Sequence, residues 1–443
     1  MSTLRRAIGL PSATALVVGT IIGSSIFVQA SEITALVPSP RYVVLAWAAA
    51  GVLTLIGALV CAELASAYPR TGGVYVFLKE IYSPALGFLW GWAMFWTMHS
   101  GILAAIATVF ARYAGYFQPM GDTATRLVAI AAIVILSAIN YRGVRLGGGV
   151  QSAFTLVKVA AVVVIIAVGW AFSDPAAAAA PVANPVEIGA GSFLLAVGAG
   201  LFAFGGWHMV TYTAEETLNP TRTIPRSLMI GVVVVTICYI GLNAVYLRVL
   251  SIDGVIASSR VAADTFDALI GAGAGSVISA LVMFSAFGAL NGIVLVGPRV
   301  YYQMAQDGLW FQWAGHLHGG YQTPGRAILL QAVWSSALVW TGTYRALFTR
   351  VIYTEWIFFA LLALGVVLLR RRPGYQPAWR MPLVPIAPIL FVLASAAIVF
   401  NQVRADLANS AIGLLIVASG IPAYYLWARR RPRAGADGPG IES

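Results

Sequence analysis

The sequence predicts an all-α integral membrane protein of about a dozen transmembrane helices, and three features carry that prediction. Hydrophobic residues make up 60% of the 443 and charged residues only 10%, too little polar surface to wrap a water-soluble fold. Apolar runs long enough to cross a bilayer, about 20 residues each, succeed one another with short polar breaks. The Lys and Arg residues behind the net charge of +11 cluster beside those runs and form no single basic face. That argues against nucleic acid as a partner and points to orientation in a lipid bilayer.

Twelve segments qualify as spans, at about 11–36, 42–67, 84–113, 125–140, 151–172, 190–213, 227–249, 274–304, 326–342, 347–369, 383–400 and 407–428. They read as one polytopic domain over 1–428 followed by a polar, Gly-rich cytoplasmic tail at 429–443. Met1 to Arg6 is short and basic, but the apolar run behind it exceeds a signal-peptide core, so it is read as the first span. With loops assigned alternately to two sides, one side holds 18 Lys and Arg and the other 8, which places both termini in the cytoplasm. Cys61 and Cys238 lie inside apolar runs and read as buried small hydrophobes, not as a disulfide framework or a metal site. Phosphate-loop, metal-ligand and serine-elbow patterns are missing from the sequence, which argues against an ATP-driven pump and a hydrolase and implies no cofactor.

Two spans are interrupted by glycine near their middle. The first contains Gly19-Thr20-Ile21-Ile22-Gly23-Ser24-Ser25-Ile26-Phe27, and the sixth contains Gly198 through Phe204-Gly205-Gly206-Trp207. Peptide groups freed at membrane depth are tolerable only where they line a polar cavity. Breaks five spans apart fit two inverted repeats, about 11–172 and 190–369, that place one site between them, with extra helices at about 383–428. The half-helix starting near Ser24 and Ser25 offers N–H groups and a positive dipole end to a carboxylate. Carbonyls near Ile21, Phe202 and Ala203 would accept from an ammonium group, so a small zwitterion satisfies both ends.

These runs carry a resemblance. Gly19 to Phe27 is similar to the first-helix signature of the amino acid–polyamine–organocation transporters. Phe202 to Trp207, with Glu215-Glu216-Thr217-Leu218-Asn219-Pro220 and Ile224-Pro225-Arg226, resembles the L-type amino acid transporter branch and its bacterial serine/threonine exchangers. Ala62-Glu63-Leu64, Pro69 to Tyr75, Pro298-Arg299-Val300 and Pro422 to Tyr425 extend the likeness over nearly the whole chain. It implies the LeuT-type fold of five plus five helices with two appended, alternating access around a central site, and a secondary transporter instead of an enzyme. It implies that a substrate carboxylate meets amides at Gly23, Ser24 and Ser25, that the amine meets carbonyls at Ile21, Phe202 and Gly205, and that Phe202 closes over the substrate as a gate. Ser25 stands where the family's commoner pattern has glycine, so substrate identity does not carry over.

Lys158 enters span 5 about 12 Å deep at 1.5 Å per residue and is expected to face the bundle interior. The resemblance implies that it takes the place of a bound cation, reaching helix 1 near Gly19 or helix 8 near Ser285, which predicts sodium-independent transport. His99 and His208 are read either as packing histidines or as substrate-binding residues that line the pocket or carry a proton. Glu63 and Glu355 are expected to pair structurally. Asn291 is left open between a helix contact and the site, and Trp90, Trp92, Trp96 and Trp207 read as packing or interface anchors. The expected function is amino acid exchange in a bacterial cytoplasmic membrane. A proton-coupled amino acid or polyamine symporter is the alternative within the fold, and a channel or transport-inactive sensor the alternative outside it. The loop between spans 3 and 4 lacks the cysteine that eukaryotic relatives bond to a glycoprotein, and the sequence has no N-x-[ST] acceptor, so no disulfide-linked accessory subunit is expected.

Overall fold

The computed structural model describes residues 6, 8–23, 25–142, 147–173, 187–321, 323–342 and 344–429. Among these, helices joined by turns account for the fold, with a lone parallel bridge between Ile8 and Thr217. In chain order they are α1 (Leu10–Ile21), α2 (Ile26–Leu36), α3 (Pro40–Ala67), α4 (Val74–Ile81), α5 (Pro84–Ala93), α6 (His99–Ala114), α7 (Asp122–Tyr141), α8 (Gly147–Phe172), α9 (Ala190–Ala203), α10 (Pro220–Val249), α11 (Ile252–Ala257), α12 (Val261–Ile270), α13 (Gly275–Gln306), α14 (Gly325–Thr341), α15 (Tyr344–Leu369), α16 (Ile386–Ala405), α17 (Leu407–Ala418) and α18 (Gly420–Arg429). A π-helical turn, Met94–Met98, joins α5 to α6, and a 3₁₀ helix, Trp207–Glu216, follows α9. Proline in the first turn opens α1, α3, α5 and α10, where its missing N–H has no helical partner to lose. The Ser83 side chain also accepts from Leu86 N at the start of α5.

Each predicted apolar segment falls on a helix or a helix pair. Among the described residues nine helices are long and apolar enough to cross a membrane, and the pair α1–α2, bent by 49°, makes a tenth. Large apolar side chains stand exposed on outer faces, including Leu156, Val163, Ile237, Val333, Leu393 and Leu415. Water would not support such a surface; lipid does.

Inside, α1 is enclosed by α8, α10, α13 and the 3₁₀ helix, while α10 lies along α3. Small residues allow the close approach. A Cβ added at Gly51 of α3 would come within 2.5 Å of Thr236 of α10, one at Gly231 of α10 within 2.5 Å of Val17 of α1, and one at Gly200 of α9 within 3.0 Å of Ala50 of α3. At the face where α3, α13 and α15 end, aromatic rings join α5 and α18 to the segment after α13. Trp310 stacks on Trp427 with centroids 6.0 Å apart, Trp92 meets Trp310 at 5.7 Å, and Trp92 Nε1 donates to the Ile416 carbonyl at 2.9 Å.

Candidate functional site

The two glycine-marked interruptions are real breaks, and they face each other. Thr20, in the last turn of α1, places its hydroxyl 2.8 Å from the Leu16 carbonyl and 3.2 Å from that of Gly206 in the second break. Gly206 has φ +98°, and a Cβ there would lie 3.1 Å from the Thr20 carbonyl oxygen, so conformation and space both demand glycine. The Tyr239 hydroxyl, from α10, lies 2.9 Å from the Ile21 carbonyl and 2.9 Å from that of Ala203. These are the terminal carbonyls of the two half-helices, groups that a helix end leaves without internal partners. One phenol proton thus serves both breaks.

Between the breaks lies a small cavity lined by Thr20, Ile21, Gly23, Ser25, Ile102, Ile106, Phe202, Ala203, Gly205, Gly206, Met209 and Ile293. Its polar surface comes from peptide groups and two hydroxyls, while Ile102, Ile106, Phe202, Met209 and Ile293 supply apolar walls and no charged side chain lines it. Gly23 N donates to the Ile21 carbonyl at 2.7 Å, and Gly205 N to the Phe202 carbonyl at 2.9 Å. The Ile21 carbonyl thus accepts from Gly23 N and Tyr239, and the Phe202 carbonyl from Phe204 N and Gly205 N. The first turn of α2, from Ser25, directs its N–H groups and positive dipole end toward the break.

Of the residues expected to bind substrate, Ile21, Gly23, Ser25, Phe202 and Gly205 line this cavity; Ser24 lies outside the described residues. His99 and His208 do not line it. They are fully buried one layer away, because Ile102 takes the wall position a turn beyond His99 on α6, and Met209 takes it on the 3₁₀ helix, where successive side chains diverge by a third of a turn. His208 is caged by Trp90, Trp207, Tyr212 and Phe359, with centroids 5.7, 5.5, 5.6 and 5.1 Å away.

Lys158 is buried, with Nζ 3.3 Å from the Gly19 carbonyl and 3.2 Å from that of Ile22. It therefore reaches helix 1 and supplies donors to carbonyls that the break strips of helical partners. Ser285 Oγ lies 3.4 Å from the Gly23 carbonyl. Asn291 accepts from Asn140 Nδ2 at 2.7 Å, a contact between α13 and α7. Glu63 is paired as expected: Arg370 reaches it at 3.0 and 2.7 Å, and Met381 N donates to it at 2.7 Å. Glu355, expected to pair, makes no ion pair or hydrogen bond among the described residues. Also among the described residues, no group of three or more His, Cys, Asp or Glu could hold a metal ion.

Three ties join segments on the side to which the sequence assigns most of the Arg and Lys residues. Arg299 meets Glu216 at 3.3 Å, Ile8 pairs with Glu216 and Leu218 through backbone bonds of 3.0 and 2.9 Å, and Asp307 accepts from Lys79 at 2.7 Å and Tyr75 at 2.5 Å. Burial pushes the Asp307 carboxyl up, but the Lys79 and Tyr75 hydrogen bonds and the Lys79 charge outweigh it and hold the group below its ordinary value.

Sequence reasoning missed Tyr239, Met209 and the isoleucine walls. A lone Tyr in an apolar run gives no local signal when its acceptors lie 218 and 36 residues away in the chain.

Comparison with known proteins gives consistent matches along the chain. A family model described as amino acid permease matches residues 8–421. The serine/threonine exchanger SteT of Bacillus subtilis (strain 168) is 31% identical over 432 residues, covering 97% of this chain and 98% of that protein. The b(0,+)-type amino acid transporter 1 of Mus musculus is 30% identical, covering 98% and 91%. The large neutral amino acids transporter small subunit 2 of Oryctolagus cuniculus is 29% identical, covering 96% and 80%.

Proposed function

Because the chain belongs to the amino acid permease family, we propose that it exchanges small neutral amino acids across the cell membrane, with the cavity between the two helix breaks as the binding site. The observation that carries this reading is the Tyr239 hydroxyl shared by Ile21 and Ala203, which places two broken helices around one space walled by peptide groups. The substrate carboxylate meets the N–H groups from Gly23 to Ser25, and Ser24 enters by chain position alone. The ammonium meets carbonyls of Ile21, Phe202 and Gly205. Apolar walls, little free room and no charged side chain among the described lining residues select a compact, uncharged side chain. Phe202 closes over it, while His99 and His208 stand behind the wall.

In this reading the protein has twelve spans in a LeuT-type arrangement of five plus five helices with two appended, both termini cytoplasmic, and the arginine-rich face is the cytoplasmic one. The Lys158 ammonium neutralises the end of α1, where a metal cation would otherwise be needed, so exchange is independent of sodium. No disulfide-linked subunit takes part. Proteoliposomes loaded with unlabelled serine test the proposal: external labelled serine should enter several times faster than into empty vesicles, equally well in sodium and choline salts. Uptake indifferent to internal amino acid rejects exchange, and strict sodium dependence rejects the role given to Lys158.

A further inference from the structure

Behind the cavity wall lies a second polar cluster that amino acid exchange does not use. His99 of α6, His208 and Tyr212 of the 3₁₀ helix, Gln331 of α14 and Glu355 of α15 are all at most 4% exposed. Both ring nitrogens of each histidine, both amide atoms of Gln331 and Glu355 Oε1 have no hydrogen-bond partner among the described residues. The groups share one region. Tyr212 lies 5.6 Å from His208 and 6.4 Å from His99 between ring centroids. A Cβ placed on Gly297 would run into the Gln331 side chain and come within 2.8 Å of His99 Nδ1. Phe359, one turn beyond Glu355 on α15, packs on His208 at 5.1 Å.

Such an arrangement constrains the protons it holds. A buried polar group without a partner costs about 1–3 kcal/mol, and an ionised carboxylate with no cation beside it costs more at membrane depth. Among the described residues no Lys or Arg forms an ion pair with Glu355 or a hydrogen bond with either histidine. The region is therefore close to neutral only if it holds a dissociable proton, on the carboxyl or on an imidazole that then becomes its counter-charge.

We propose that this cluster is a proton-binding site, in which one proton resides on Glu355, His208 or His99 while the core is closed and is released to water when the arginine-rich face opens. On release the carboxyl O–H bond breaks, its electron pair stays on the carboxylate, and the proton leaves as hydronium; closure reverses the step. The inference goes beyond amino acid exchange, which needs no titrating group, so exchange can survive its failure.

The test uses the full-length chain in liposomes, with labelled serine exchanged against internal serine at equal pH on both sides, from about pH 5 to about pH 8. Wild-type exchange should change by about tenfold across a single-proton titration, and the Glu355→Gln variant should give a flat profile. Glu355→Asp should restore the slope, which a merely structural role would not do. If the Gln variant does not fold, His208→Gln takes its place, and calorimetry of serine binding to the wild type in two buffers of different ionisation heat counts protons directly. A flat wild-type profile, superimposable wild-type and variant profiles, or zero protons exchanged on binding overturns the proposal.

Discussion

Replacing Lys158 by Met keeps most of the side-chain volume and removes the ammonium alone. In the structure that group lies 3.3 and 3.2 Å from the carbonyls of Gly19 and Ile22. Hydrogen bonds to a charged donor are each worth about 1.5–3 kcal/mol, so about 3–6 kcal/mol of favourable interaction goes. Against this, the variant no longer holds a charge at membrane depth, a saving of about 2.5–3.5 kcal/mol on insertion scales. The difference, roughly 0–3 kcal/mol, falls on the end of α1 that walls the cavity. We expect the thermal midpoint in detergent to move by only a few degrees, while exchange falls by about tenfold to a hundredfold, because every 1.4 kcal/mol withheld from one conformation is a factor of ten. The assay is the initial rate of serine counterflow per mole of folded protein. Exchange at the wild-type rate, or a loss fully explained by unfolded protein, would refute this account of the lysine.

Three further outcomes are expected. Tyr239→Phe removes the proton shared by Ile21 and Ala203; transport should fall by about fivefold or more, corresponding to about 1–3 kcal/mol for an orphaned buried carbonyl, and unchanged kinetics would show that the hydroxyl is idle. Gly206→Ala forces a side chain into φ +98° against the Thr20 carbonyl, a strain of about 1–3 kcal/mol, so substrate protection in a thermal-shift assay should be lost before the fold is. The Asp307 carboxyl is held below its ordinary value of 3.8, so its stabilising contribution is complete above that value and fades only as pH falls through the lower, folded-state value. Asp307→Asn should therefore destabilise the protein by a constant amount across neutral pH, and the gap to wild type should close only in strong acid.

The nine spans, or ten with the bent pair, found among the described residues were legible because lipid imposes length and apolarity on each helix separately. Both breaks were legible too, since glycine is the residue that lets a helix stop inside a bilayer, as Gly23 and Gly206 do. Lys158 was traceable because a buried charge must find acceptors, and the break provides them. What the sequence hid are pairings made only by the assembled bundle. Nothing near Tyr239 names its two carbonyls, and nothing near Asn291 names Asn140. The reading of His99 and His208 stayed open between packing and the pocket because register within a span is not local to the sequence; a π-turn, Met94–Met98, immediately precedes His99. Glu355 looked like Glu63, but among the described residues an arginine meets only Glu63 of the two.

The glycine contacts that bring α1, α3, α9 and α10 so close together have a mechanical consequence. Where Gly51 meets Thr236, Gly231 meets Val17 and Gly200 meets Ala50, there is no slack for these helices to slide past one another. Shear between them is resisted at those contacts, and one added methyl group at any of the three glycines would force Thr236, Val17 or Ala50 to give way.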